Sequence, residues 1–329
     1  MKVVIPGGTG QVGTLLARAF QRDGHDVVVL GRHPPGGAAV WRTAQWDGVT
    51  LGEWGREVDG ADVVINLAGR SVNCRYTAKH RHEIMQSRVV STHVVGEAIA
   101  AARHPPRVWL QASTATIYAH RFDAPNDERT GIIGGSEPDL PATWRFSIDV
   151  ATSWERETDR AEVPRTRRVK LRSAVIMSPD RGGIFDTLLG LVRRGLGGTS
   201  GDGRQYVSWI HDADFVRAVY WLIEHDGVSG VVNVAAPNPL PNAAFMRALR
   251  EAWGTRFGLP ATAWMLEIGA FFLRTETELV LKSRRVVPGV LAERGFTFQF
   301  PTWPLAAQDL CRRRRLWAKA SLGAGKPQP

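Results

Sequence analysis

Sulfur is scarce in this chain. Its two cysteines, Cys74 and Cys311, stand far apart and outside any metal-ligand or redox spacing. That excludes a disulfide scaffold and a cysteine metal cluster, and it points to a reduced, cytoplasmic protein. Long apolar runs are missing as well. The stretch 263–273 is short and interrupted by Glu267, well below the roughly 20 residues that span a bilayer, so no membrane association is expected. No signal peptide is expected ahead of the first strand. Acidic residues are outnumbered, 32 Asp and Glu against 42 Lys and Arg, for a net charge of +10. The excess is scattered along the chain. Its one dense cluster, Arg312 to Arg315, lies near the end of a last helix, where cations suit the helix dipole. No nucleic-acid module accompanies it, so nucleic acid is not expected as a partner. A basic surface suits phosphorylated or carboxylate ligands instead. Internal repeats are absent, and low complexity is confined to 321–329, expected to be a disordered tail.

What is present is concentrated at the start. Lys2 to Pro6 reads as a short buried strand, followed at once by Gly7-Gly8-Thr9-Gly10-Gln11-Val12-Gly13. A helical pattern follows in which Val12, Leu15, Leu16, Ala19 and Phe20 share one face. Strand, glycine turn and helix is the arrangement that holds a dinucleotide pyrophosphate. Gly7 permits the tight turn, Gly10 lets the backbone approach the phosphates, and Gly13 lets the helix pack closely. Thr9, Gln11 and Val12 belong to the same turn.

Strands and helices then alternate. Strands are expected at 26–30, weakly at 39–41, and at 62–67, 107–112 and 168–177, with helices near 51–58, 78–103 and 146–161. This is the pattern of an α/β protein with a Rossmann-type, doubly wound parallel sheet. The domains expected are a dinucleotide-binding domain at 1–178, to which 206–235 returns, and a smaller, mostly helical C-terminal lobe at 179–205 and 236–320. Asp212 reads as the N-cap of a helix over 212–224. The glycine-rich stretch 195–203 suits a mobile lid. Many of the twelve tryptophans fall in the C-terminal half, and aromatic residues at helical spacing usually pack a core.

The end of the second strand separates NAD from NADP. An acidic residue there would bind both ribose hydroxyls, whereas arginine accommodates a 2′-phosphate. This chain has Leu30-Gly31-Arg32-His33, without Asp or Glu, so NADP(H) is expected. Asn66-Leu67-Ala68-Gly69 ends a central strand, where open α/β sheets bind ligands, and is expected on the cofactor. Ser113, Thr114 and Tyr118 end the next strand, beside the expected nicotinamide, and are the candidate catalytic groups. A hydroxyl there can bond a substrate carbonyl, and a phenol can donate a proton. Tyr76, Arg75 and Lys79 could reach the pocket mouth, although a solvated helix start is the plainer reading. Arg204 and Gln205 suit an anionic substrate group or a structural ion pair. His211 reads as a loop and helix-cap residue rather than a catalyst.

These segments resemble the extended short-chain dehydrogenase/reductases, in the sugar-nucleotide epimerase-like branch. Val64 to Gly69, Ser87-Arg88, Trp154-Glu155 and Arg204 to His211 are similar to its atypical epimerase family subgroup, whose members carry a C-terminal domain of unknown function. The resemblance spans residues 1 to about 315. It implies that Gly7, Thr9, Gly10, Val12, Gly13, Arg32 and Ala68 bind the dinucleotide. One departure matters. Reductases of this superfamily pair a tyrosine with a lysine four residues on, which lowers the phenol's pKa. The tyrosines here, at 76, 118, 206 and 220, are followed at that distance by His80, Phe122, Ile210 and Glu224. At the expected place stand Phe146 and Val150. The expected function is an NADP(H)-dependent oxidoreductase or epimerase-like enzyme on a small organic substrate, as monomer or homodimer, with an unconventional proton donor. The alternative is a nucleotide-bound sensor or interaction protein without redox chemistry.

Overall fold

The computed structural model describes residues 1–32, 40–262 and 278–323. Seven strands form one parallel sheet: β1 (Lys2–Pro6), β2 (Asp26–Gly31), β3 (Arg42–Gln45), β4 (Val63–Asn66), β5 (Val108–Thr114), β6 (Arg167–Ser173) and β10 (Gly230–Val234). Their order is β10-β6-β5-β4-β1-β2-β3. The order reverses beside β1, and that switch point opens the ligand crevice at the strands' carboxyl ends.

Side-chain alternation divides the core into two layers. Val3, Ile5, Val27, Val29, Val63, Ile65, Val108 and Leu110 face helices α1 (Gln11–Arg22) and α5 (Asp212–Glu224), against Leu16, Phe20, Phe215 and Leu222. Val4, Val28, Val64 and Trp109 face the other way and pack on Val94, Val95 and Ile99 of α2 (Ala78–Ala101). α3 (Ala142–Arg160) lies beside α2 on that face. Both faces are covered, which is why these strands read as continuous apolar runs.

The strand expected over 168–177 is two strands. At Ala174 the N–H still bonds Val234, while the Val175 N–H turns to Ser208. From there β7 (Val175–Met177) leaves the main sheet and pairs in parallel with β9 (Trp209–His211). A further short pair joins β8 (Tyr206–Val207) to β11 (Leu240–Pro241). The second lobe has its own core. α4 (Ile184–Arg193), α6 (Asn242–Trp253) and α9 (Trp303–Gly323) bury Phe185, Leu189, Phe245, Leu249, Trp303, Leu310 and Cys311 together. Trp303 stacks on Phe245 with ring centres 4.0 Å apart and donates Nε1–H to the Phe245 carbonyl. Two short helices, α7 (Glu278–Leu281) and α8 (Gly289–Glu293), complete the described lobe.

Several expectations change in detail. The weak strand expected at 39–41 forms at Arg42–Gln45, and residue 39 lies outside the described residues. The N-cap of α5 is His211, not Asp212: His211 Nδ1 accepts the Ala213 N–H at 3.1 Å, because its backbone is the last in extended conformation. The stretch 195–203 is tied down. Gly198 and Gly201 donate N–H groups to Leu259 and Ala261, and these return bonds to Gly195 and Thr199. Helix α9 continues through Gly323, and the remainder of the expected tail lies outside the described residues. The arginine cluster is a set of braces rather than a charged patch. Arg312 pairs with Asp309, Arg313 with Asp212, Arg314 with Asp186, and Arg315 with the carbonyls of Ala252 and Trp253.

Candidate cofactor cleft and reaction site

The crevice starts at the turn after β1. Gly7 adopts φ +73°, and a Cβ there would lie 2.6 Å from the Ala68 Cα. The β1 and β4 turns therefore touch through backbone. A Cβ on Gly13 would lie 2.3 Å from the Gly8 Cα, so α1 leaves the strand only because both are glycines. Gly10 differs: a Cβ there would meet nothing closer than 3.9 Å. Thr9, Gly10 and Gln11 are exposed, and no side chain caps α1. An open, uncapped helix start with positive dipole is the physical requirement for holding a pyrophosphate, and the cradle fits such a group.

At the end of β2, Arg32 is exposed and lines a cavity of about 500 Å³ with Gln45, Trp46, Asp47, Thr50, Gly52, Glu53 and Trp54. The Asp47 carboxylate is occupied by Thr50 and the Val49 N–H, and these bonds hold it below the usual carboxylate range. Thus a guanidinium faces the space where an adenosine end would lie, which suits an extra phosphate.

The Asn66 to Gly69 turn divides its labour. Asn66 is fully buried. Its amide donates to Gln111 at 3.0 Å and to Thr92 at 3.4 Å, and its carbonyl oxygen accepts the Ala68 N–H at 3.1 Å. It shapes the turn rather than lining the cleft. Leu67 is half-buried, Ala68 is buried against Gly7, and Gly69 is exposed. Behind Gly69 stands Arg88 of α2, whose guanidinium carbon would lie 3.1 Å from a Cβ on that glycine. Arg88 lies over the Trp154 ring at 5.1 Å and donates to the Ile84 carbonyl. Among the described residues it forms no ion pair with a carboxylate. Burial pushes it down to about 10, with the nearby Tyr76 opposing that shift. Sequence reasoning uses Ser87-Arg88 only for the family resemblance and does not place Arg88 behind this turn. The signal available was an arginine on a helix face that otherwise packs inward.

Of the three candidate hydroxyls at the end of β5, Ser113 and Tyr118 are brought into one network within the protein's interior, whereas Thr114 is partly buried and stands outside it. Tyr118 is 2% exposed. Its hydroxyl donates to Asn233 Oδ1 at 2.9 Å and accepts from Arg172 Nη1 at 3.0 Å. Burial raises the Tyr118 pKa, against the opposing pull of Arg172. Ser113 Oγ donates to Glu155 Oε1 at 2.6 Å. Glu155 also accepts Nε and Nη2 of Arg172, both at 2.8 Å. Desolvated and paired in this fork, the charges hold each other in place. Thr114 caps the following 3-10 turn by accepting the Thr116 N–H.

The β5 end is also tied to the second lobe. Lys282 Nζ donates to the Thr116 carbonyl at 2.8 Å, and Arg284 Nε to Thr116 Oγ1 at 3.2 Å. Lys282 is buried, and desolvation brings it down to about 8, with Glu278 3.8 Å away opposing that shift. His211 is buried as well. It stacks on Phe300 at 3.8 Å and meets Asp309 through Nε2, far from the cleft in role. Arg204 lies over the Phe122 ring, and Gln205 donates to the Ser200 carbonyl. His33 lies outside the described residues.

Comparison with known proteins agrees with this architecture. Residues 3–138 match the NAD dependent epimerase/dehydratase family, and residues 261–310 match a domain of unknown function, DUF1731. The epimerase family protein SDR39U1 of Mus musculus is 31% identical over 94% of this chain and 99% of its own length. The epimerase family protein YfhF of Bacillus subtilis is 29% identical over 96% and 99%. The crystal structure of human epimerase family protein SDR39U1 (isoform 2), obtained with NADPH, superposes with a TM-score of 0.82. It is 29% identical, over 95% of this chain and 99% of that one. With its glycine cradle, its parallel sheet and relatives matched over nearly their whole length, the chain belongs to the NAD dependent epimerase/dehydratase family, among the epimerase family proteins.

Proposed function

We infer that this protein binds NADP(H) and acts as an oxidoreductase or epimerase-like enzyme on a small organic substrate. The observation that carries the reading is the open, uncapped turn at Thr9, Gly10 and Gln11, with one guanidinium beyond each end, Arg32 and Arg88. The first-turn N–H groups of α1 would hold the pyrophosphate, Arg32 the 2′-phosphate, and Gly69 with Arg88 the far side of the dinucleotide. The crystallisation of human SDR39U1 with NADPH supports the choice of cofactor. When bound, the dinucleotide supplies hydride chemistry.

Ser113 and Tyr118 act on this site as positioning residues, through the Arg172–Glu155 fork, and Thr114 sets the turn that carries Thr116. The same network favours one second reading, a nucleotide-bound sensor, because its hydroxyls are committed to protein partners. Titration with NADPH and NADH, followed by nicotinamide fluorescence and thermal stability, is the test. Tight NADPH binding with weak NADH binding is expected; absence of both overturns the enzyme reading. Once a substrate is in hand, a rate lowered by no more than about fivefold in Tyr118→Phe is the expected result for a positioning role, and a loss of a hundredfold or so would return the proton to Tyr118.

A further inference from the structure

Phe146, Val150 and Trp154 follow one another at four-residue spacing on α3 and share one face of it. The segment after β4 packs on that face. Tyr76 meets Phe146 edge-on, with ring centres 5.2 Å apart and 73° between the planes. Arg88 covers Trp154 at 5.1 Å. The stripe thus has a phenol at one end and a guanidinium at the other, close enough for each to feel the other's charge. Because Arg88 also backs Gly69, the pair stands at the carboxyl edge of β4, where the cofactor cleft continues. The Tyr76 hydroxyl shares a hydrogen bond with Ser147, and Ser147 Oγ donates to Glu278 Oε2 at 2.5 Å. The charged and titratable neighbours of the phenol are Arg88 on α2, Cys74 on its own loop, Glu278 on α7 and Arg284 just after it, while Arg81 of α2 lies over the Phe146 ring and bonds the Tyr76 carbonyl. The other tyrosines are placed differently. Tyr118 is enclosed, Tyr220 bonds Asp23, and Tyr206 lies under Arg285.

We propose that Tyr76, hydrogen-bonded to Ser147 and flanked by Arg88, is the proton donor of the cleft, for a substrate with a carbonyl or hydroxyl at its reacting carbon. The inference rests on the NADP(H) reading above. Reduction of a carbonyl takes one hydride to carbon and one proton to oxygen. The hydride is the dinucleotide's contribution. The proton leaves Tyr76 Oη for the carbonyl oxygen as the C=O π bond opens, which yields the alcohol. The phenolate then regains one proton from water at the cleft mouth, where Tyr76 is partly exposed. Oxidation runs the same proton backwards. Arg88 stabilises the transient phenolate, and burial together with Glu278 keeps the resting phenol protonated.

Tyrosine labelled with 13C at Cζ reports ionisation of each phenol by NMR, and Tyr76→Phe assigns the resonance among the four tyrosines. With NADP⁺ at saturation, the Tyr76 signal is expected to titrate about one unit lower than without it, because the oxidised nicotinamide adds positive charge nearby. Arg88→Gln should raise it by a similar amount. Tyr76→Phe should bind NADPH within about twofold of the unaltered protein, since the phenol serves the proton and not the cofactor. A Tyr76 titration indifferent to NADP⁺ and to Arg88→Gln, in protein that still binds NADP⁺, overturns the proposal alone. Failure of the unaltered protein to bind NADP⁺ or NADPH overturns both it and the cofactor reading.

Discussion

At the dinucleotide end of the cleft the walls are backbone: Gly7 against Ala68, Gly13 against Gly8, and an uncapped helix start left open at Gly10. At the proposed reaction end the walls are long side chains from segments far apart in sequence. Arg88 backs Gly69, Tyr76 stands on Phe146, and Lys282 and Arg284 reach Thr116 across more than 160 positions. Backbone cradles tolerate no added atom, so they are made of glycines in fixed order. Side-chain walls can be assembled from any segment that passes nearby. The first kind of site is local and keeps a signature; the second is a product of packing and keeps none.

Breaking each end in turn sharpens the contrast. The largest effect is expected at the reaction end, in Glu155→Gln. Leaving Arg172 buried without its carboxylate should cost about 3–5 kcal/mol in denaturant unfolding. A loss below 1 kcal/mol would mean that water reaches the pair. Next comes Gly7→Val. A branched side chain at φ +73° and in contact with Ala68 should destabilise by about 2–4 kcal/mol and abolish NADPH binding. Retained fluorescence enhancement would show that the turn is not the phosphate cradle. The two arginines should then separate the ends by affinity alone. Arg32→Gln is expected to weaken NADPH about tenfold and leave NADH unchanged. Arg88→Gln should weaken both, by about 1.5–3 kcal/mol, and equal selectivity losses in the two variants would erase the distinction.

The smallest effect concerns pH. Burial brings the Lys282 ammonium down to about 8 in the folded protein, from an ordinary value of 10.5. Between those values the unfolded chain holds the proton and the folded chain does not, so this residue's contribution to stability rises with pH across that window. The stability difference between the unaltered protein and Lys282→Met should therefore shift in favour of the former from pH 8 to 10. A flat difference would place the lysine in contact with water.

The parallel sheet was legible because both its faces are covered, which makes 27–30, 63–65 and 108–110 continuous apolar runs. The break at Ala174 was not, since Val175 to Met177 continues the strand pattern without a turn residue and only its pairing with Ser208 to His211 draws it away. The same holds for His211, where the choice between it and Asp212 as cap depends on which residue's backbone is still extended. Arg312 to Arg315 reads as one charge run, yet each member serves a different partner once α9 docks. Ser113 and Tyr118 sit where strand order places them. Their burial depends on Arg172, Glu155 and Asn233 arriving from three other elements.

Sequence alone determined the doubly wound sheet, the glycine cradle and the arginine after β2. These follow from residue period, from the space a Cβ would need, and from position along one strand, all of which are local. Tertiary structure alone decided which hydroxyls are enclosed, which arginine backs Gly69 and which tyrosine packs on Phe146. Those depend on desolvation and charge pairing between groups 12 to 200 or so positions apart, and free energies of that kind exist only after the chain has packed.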